Sequence, residues 1–303
     1  MFFKFFNTFV ESNFWDVLYK EKGMLFAGIR RGVHFSPNHI GNDKVIFDLT
    51  ASHLRRMGHQ VNEYGEDECL GGINERYIFS MAREPQVARI LQIAEQEGVR
   101  VVNSGYGIEN CYRNNMTRLL NEGGVPVPAN LTVDTQKADA DCFTDLLPCW
   151  VKRGNFHAIH KEDVSFARNA DEGCAILAEY AQRGIETAVL NRHISGDLVK
   201  FYGIRGTDFF FHFYPEEYRH SKFGNEAVNG KAEHYAIHSD ELQTIATHAA
   251  DILNIDIYGG DAIITPDEAI YLIDMNDWPS FAPCREQAAP VIAQRIYQLA
   301  TES

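Results

Sequence analysis

The sequence predicts a mixed α/β (α+β) chain, with a helix-covered parallel sheet first and a hairpin of two strands toward the C-terminus. Strand-like apolar runs alternate with amphipathic helical stretches up to residue 103, the pattern of βα units. Beyond Thr187, short apolar runs succeed one another across the turns Ser195-Gly196-Asp197 and Thr265-Pro266-Asp267-Glu268, and the second of these has the pattern of a hairpin. A chain of 303 residues, 45% hydrophobic and 23% charged, can bury a large core and divide into two or three subdomains.

The first residues, MFFKFFNTFVESNFW, form an apolar run broken by Lys4 and Asn7 and too short to span a bilayer. No small-residue cleavage site follows. An amphipathic helix over 1–20 is expected, docked on the body or on a second copy as a homodimer; Glu11, Asp16 and Glu21 argue against a membrane surface. Met24 to Ile29 reads as a buried strand, followed by a loop rich in Gly, Pro and Asn. Asn42 is placed to cap a helix reaching Met57, with Ile46, Leu49 and Leu54 on one face. Gly58 ends it. Gln60 to Tyr64 and Tyr77 to Met81 read as strands. Glu84 to Glu97 reads as a helix turning Val87, Ile90, Leu91 and Ile93 inward, stopped by Gly98, and Val99 to Asn103 as a fourth strand.

Further on, Asn115 to Glu122 reads as a helix stopped by Gly123-Gly124, and VPVPANLTV as an extended segment held by two prolines. Cys149 to Lys152 is a strand and Glu172 to Arg183 a helix. Thr187 to His193, Leu198 to Gly203 and Phe209 to Tyr214 are strands, the Phe209-Phe210-Phe211 run serving as sheet core. Glu216 to His234 reads as a mobile polar loop. Ser239 begins a helix to Leu253, with Glu241 favouring its N-terminus, and Glu286 to Thr301 is a closing amphipathic helix.

Composition excludes several classes. A net charge of −14 argues against nucleic acid and anionic membrane as partners. Cysteines 69, 111, 142, 149, 174 and 284 contain no C-x-x-C pair, which suggests reduced thiols in a cytoplasmic protein. The 12 histidines show no H-E-x-x-H spacing, so a zinc site is not expected. GYG and GGD are too short to be dinucleotide fingerprints.

The chemistry concentrates in GGDAIITPDEAIYLIDMN, starting at Gly259. Asp261 opens one apolar run; a second, Ile270 to Ile273, ends in Asp274 and Asn276. A hairpin would bring Asp261 close to Asp274 and Asn276. Alternation turns Asp274 and Asn276 to one face and Met275 to the other. Three oxygen-bearing side chains at the edge of an apolar hairpin suit Mg²⁺, which takes one or two carboxylates plus nucleotide phosphates. The alternative is a solvated hairpin with aspartates at its ends. Lys152, ending the apolar run CWV, either meets a polyphosphate or snorkels at the surface. Lys200, in phase with Leu198 and Tyr202, needs a charge partner if it points inward.

The order of these pieces resembles the ATP-grasp superfamily over residues 100–300. NSGYGIENCYRNNMTRLLNEGGVPVPANLTV, CWVKRG, AVLNRHISGDLVKFYGI, YGGDAII and YLIDMNDWPSF look like successive motifs of that superfamily. The resemblance implies a pre-ATP α/β domain over 21–104, a small lobe over 105–194 and a large lobe with the metal site over 195–303. It implies two antiparallel-sheet lobes holding ATP, with Mg²⁺ or Mn²⁺ on Asp261, Asp274 and Asn276. It gives the phosphates to Lys152 and to Arg113, where many members have a lysine, and the rest of the nucleotide to Asn191, Arg192, His193, Ile194 and Asp197. Gly154 to His160 would fold over the phosphates.

The reaction this implies is a carboxylate–amine (or thiol) ligase acting through an acyl phosphate on a small-molecule or peptide substrate, with Lys200, Arg192 and Arg205 near the acyl phosphate. Asp274 and Lys200 stand where many such ligases have Glu and Arg. Arg-x-x-Met, LVKFYG and D-x-N look more like the inositol trisphosphate 5/6-kinase branch. The alternative is therefore a small-molecule kinase for a polyol or inositol-phosphate-like substrate, held by Lys200, His157 and Arg31. A non-catalytic nucleotide-binding subunit is disfavoured, because such a descendant has little physical reason to keep two like charges together.

Overall fold

The structure is a computed structural model that describes residues 23–35, 40–156, 160–218 and 232–302. The expected helix over 1–20, His157, and most of the polar stretch from Glu216 to His234 lie outside the described residues.

The first sheet is parallel throughout, in the order β2-β1-β3-β4, formed by β1 (Leu25–Ile29), β2 (Gln60–Tyr64), β3 (Tyr77–Ser80) and β4 (Arg100–Val102). The central strands β1 and β3 are almost wholly buried, as apolar runs covered on both faces must be. Helix α1 (Ile40–Arg56) joins β1 to β2 and α2 (Pro85–Gln96) joins β3 to β4. Gly58 and Gly98 follow these helices with φ of 91° and 87°, the left-handed conformation that glycine adopts without strain. Helix α1 begins before Asn42, whose side chain accepts a hydrogen bond from Arg285 rather than capping. Ile93 was expected inward and is half exposed. Gln92 is buried in its place, donating to the Gly105 carbonyl and the Glu109 carboxylate, because the end of α2 meets a short helix, α3 (Gly105–Asn110). Helix α4 (Arg113–Glu122) follows at once.

The second sheet is antiparallel, in the order β5-β8-β6-β7, formed by β5 (Asn130–Asp134), β6 (Cys149–Arg153), β7 (Val164–Ala167) and β8 (Thr187–Arg192). Helix α5 (Ala170–Gln182) covers one face, where Leu177 and Tyr180 pack on Cys149, Val151 and Leu190.

The third sheet is also antiparallel, in the order β10-β9-β11-β12, formed by β9 (Asp197–Ile204), β10 (Phe210–Phe213), β11 (Ile257–Ile264) and β12 (Ile270–Asp277). Helix α6 (Ser239–Leu253) packs on one face through Leu242, Ala246 and Ala249 against Val199, Phe201 and Ala262. The last helix, α7 (Arg285–Thr301), leaves this sheet and lies beside α1. Its Ala289, Ile292 and Ile296 share one core with Phe26, Phe47 and Phe79 of the first sheet and with Tyr202, Ile204 and Ile257 of the third. One apolar core thus ties the parallel sheet to the sheet bearing Asp261 and Asp274.

Candidate active site

Register builds the acidic part of the site. Lys200 of β9 faces Asp261 of β11, which faces Asp274 of β12; in the next row Tyr202, Gly259 and Asn276 align. Residues in register project from the same face. Lys200, Asp261, Asp274 and Asn276 therefore share one face, and in the second row the Tyr202 and Pro279 rings fill the space beside Gly259.

A β-bulge makes this possible. Asp261 pairs with Asp274 but Ala262 pairs with Leu272, so Ile273 has no partner on β11. Ile270 and Leu272 point into the core, and without the extra residue Asp274 would follow them in. The bulge resets the phase, so Met275 is buried while Asp274 and Asn276 come to the opposite face.

Cations from elsewhere meet this row. The Lys200 ammonium donates to both oxygens of Asp261, at 3.0 and 3.2 Å. Arg113, buried at the start of α4, reaches Asp274 Oδ1 at 3.4 Å. Lys152, on β6 of the second sheet and only 6% exposed, donates to the Ile273 carbonyl on the bulge at 2.9 Å. Burial pushes the Lys152 ammonium down to about 8, Arg113 adds to that, and Asp274 and Asp261 oppose it. Lys152 is thus a buried cation, not a surface lysine.

The same face of the second sheet carries an aromatic group that the sequence reading missed. Trp150 lies two residues before Lys152 and aligns with Phe166 and Asn191. The Trp150 and Phe166 ring centroids are 5.0 Å apart. Trp150 Nε1 donates to His193 Nδ1 at 3.2 Å, and burial holds the His193 imidazole below its ordinary range. Strand phase would have revealed Trp150 once Lys152 was placed in a cleft. Arg83 was missed as well, a lone charge after a strand with no sequence signal; it is buried against Asp277.

Asp197, Arg205, Arg192 and Arg31 are not brought to this place. Asp197 is three residues from Lys200 on one strand, so it points to the opposite face, where its carboxylate accepts from the backbone amides of Glu233 and Tyr235, each at 2.8 Å. Arg205 makes a two-pronged bond to Asp256, at 3.1 and 2.9 Å, which Arg295 of α7 also contacts. Arg192 is exposed, aligned with Cys149 on the α5 face of its sheet, and donates to the Asp145 carbonyl. Asn191 is buried on the Lys152 face; His193 and Ile194, both half-buried, begin the connection to β9. Arg31, offered for a kinase substrate, is buried between Asp43 and the end of β12. Of the loop after Lys152, Gly154 bonds to Thr187 and Asn114, and Phe156 packs between Phe35 and Tyr112.

No protein-family model matches the sequence, and no curated protein matches it. Solved structures do. A D-alanine–D-alanine ligase from Bacillus anthracis superposes with a TM-score of 0.64 at 12% identity, covering 92% of this chain and 97% of that one. The enzyme of that name from Coxiella burnetii gives 0.66 at 12%, covering 91% and 95%. D-alanyl-alanine synthetase A from Vibrio cholerae O1 biovar eltor gives 0.67 at 11%, covering 93% and 99%. The chain has the ATP-grasp fold.

On this ATP-grasp scaffold the second and third sheets meet where Lys152 touches β12. Among the described residues no three His, Cys, Asp or Glu side chains form a metal-holding group. The donor set at the row is two carboxylates and an amide, half-buried and sharing a face. That falls short of a complete cage and fits Mg²⁺, which fills its remaining positions with phosphate oxygens and water. Among the described residues no helix is long and apolar enough to cross a membrane.

Proposed function

We propose that the protein is an ATP- and Mg²⁺-dependent ligase that joins a carboxylate to an amine or thiol through an acyl phosphate. The observation that carries this reading is the row Lys200–Asp261–Asp274 meeting Lys152 and Arg113, which come from other elements of the fold. Three cations against two carboxylates leave the place attractive to a polyanion. Lys152 and Arg113 would turn from Ile273 and Asp274 to the phosphates. Trp150, half-buried beside Asn191 and flanked by the tilted rings of Phe166 and His193, offers an aromatic face for a nucleobase.

Asp261, Asp274 and Asn276 would hold the metal, which when bound neutralises charge on the phosphate oxygens. A substrate carboxylate oxygen attacks the γ-phosphorus, the bond to the β–γ bridging oxygen breaks, and ADP leaves. Lys200, beside Asp261, would hold the acyl phosphate oxygens. The amine then attacks the acyl carbon, phosphate departs, and the amine loses a proton to solvent or phosphate. Little acid–base machinery is required, and the row contains no histidine. Likeness to ligases over nearly their whole length supports this chemistry over phosphoryl transfer to a hydroxyl.

The test is ADP release from ATP with a panel of carboxylic acids, with hydroxylamine as the trapping nucleophile. A hydroxamate formed in step with ADP supports the ligase. A stable phosphate ester on a polyol would replace this reading with a kinase. Asp274→Ala with Asn276→Ala is expected to abolish turnover while leaving the fold intact, and full activity in that variant would remove the site assignment.

A further inference from the structure

We infer that Arg31 and Arg83, supplied by the first sheet, are positioning residues for the strand that carries Asp274 and Asn276. The inference rests on the metal site proposed above and names what holds it in place. β12 is the outer strand of its sheet, so its outward backbone groups have no strand to pair with. They are satisfied from other parts of the fold. The Leu272 amide donates to the Pro126 carbonyl at 2.8 Å, and Lys152 donates to the Ile273 carbonyl. At the far end, Arg31 Nη2 donates to the carbonyls of Asp277 and Trp278, at 3.2 and 2.9 Å. Arg83 Nη2 donates to the Asp277 carbonyl at 3.4 Å.

The same two guanidinium groups flank the Asp277 carboxylate, at 3.6 Å for Arg31 and 3.3 Å for Arg83. Asp277 is fully buried and directly follows Asn276. A displacement of either arginine therefore reaches the Asn276 amide through one peptide unit, and Asp274 two residues further back.

The arginines are themselves fixed. Arg31 donates through Nε to the Met81 carbonyl at 3.1 Å and through Nη1 to Asp43 at 3.2 Å. The loops bearing both arginines are tied together by Glu66, whose buried carboxylate accepts from the backbone amides of Gly32, Arg83 and Glu84. Arg83 Nε is buried without a hydrogen-bond partner among the described residues, which costs stability. Buried ion pairs add little net stability over apolar packing. What this one supplies is geometry. Groups that orient metal ligands typically change metal affinity by about 10- to 100-fold when removed.

The test is a Mn²⁺ titration followed by electron paramagnetic resonance, with saturating AMP-PNP, on the wild type, Arg83→Met and Arg83→Lys. AMP-PNP affinity without metal and the thermal midpoint are measured alongside. Expected is Mn²⁺ binding about 10- to 100-fold weaker in Arg83→Met, partly recovered in Arg83→Lys, with metal-free nucleotide affinity unchanged. Wild-type Mn²⁺ affinity in Arg83→Met, with or without a lower midpoint, overturns the inference and leaves the arginine a structural role. If Arg83→Met does not fold, Asp277→Asn keeps the shape and both carbonyls and must show the same loss; unchanged affinity there overturns the inference equally. If the wild type binds no Mn²⁺ with nucleotide present, the metal reading itself falls and the inference falls with it.

Discussion

Replacing Lys152 by methionine separates a phosphate-binding lysine from one that merely latches two sheets. The side chain is only 6% exposed, and its pKa falls from the ordinary 10.5 to about 8, chiefly through burial. That displacement corresponds to about 3 kcal/mol disfavouring the ammonium in the ligand-free fold. Methionine removes this penalty and keeps the apolar length. It also leaves the Ile273 carbonyl without its donor, which costs about 1–3 kcal/mol. The two effects nearly cancel, so the ligand-free variant should be about as stable as the wild type, or slightly more so. Nucleotide binding should suffer, since a hydrogen bond to a charged group is worth about 1.5–3 kcal/mol. The affinity for AMP-PNP should fall by about 10- to 150-fold. Urea unfolding gives the first quantity and calorimetry the second. A marked loss of stability with unchanged nucleotide affinity would refute the reasoning and leave Lys152 a latch. The pH dependence has a definite sign. Between about 8 and 10.5 the unfolded chain carries a proton on Lys152 that the folded chain lacks, so this group's penalty is full below about 8 and is lifted as pH rises through that window. Bound phosphate favours the charged form, so nucleotide affinity should decline above pH 8 and binding there should take up a proton.

Three further outcomes follow from the same geometry. Mn²⁺ alone should bind weakly, because Lys200 and Arg113 already occupy Asp261 and Asp274, and AMP-PNP should strengthen it at least about tenfold by drawing cations to its phosphates; equal affinity with and without nucleotide would refute this. Trp150→Ala should weaken ATP by about 1–3 kcal/mol, the scale of base stacking on an aromatic, yet leave inorganic tripolyphosphate untouched; parallel loss of both ligands in calorimetry would make Trp150 a packing residue. Arg205→Met should lower stability by about 1–3 kcal/mol, with Arg295 still on Asp256, and leave turnover intact; a folded variant without activity would restore Arg205 to the chemistry.

The parallel sheet and the acidic row were legible because both rest on short-range periodicity, whereas the two antiparallel lobes were expected from the order of the motifs. Alternation alone put Asp274 and Asn276 on one face and Met275 on the other, and β12 keeps that order. The bulge at Ile273 was not legible, since it exists only in the register with β11. Its consequence is large: it lets Leu272 and Met275 both enter the core while Asp274 stays out, and it places the Ile273 carbonyl where Lys152 can reach it. Asp197 illustrates a signal that was present but unused. Two residues three apart on a strand cannot share a face, so assigning Lys200 to the site already removed Asp197 from that face. Arg205 offered no such test. Its partner Asp256 lies 51 residues away, and a basic residue just past the end of a strand reads the same whether it meets a ligand or an aspartate. Arg83 was hidden for the same reason, since Asp277 lies 194 residues further along the chain. What remains illegible in a single sequence is therefore the pairing of charges across the fold. At the candidate site those pairings fix the edge strand, because Lys152, Arg113, Arg31 and Arg83 all converge on it from outside its sheet.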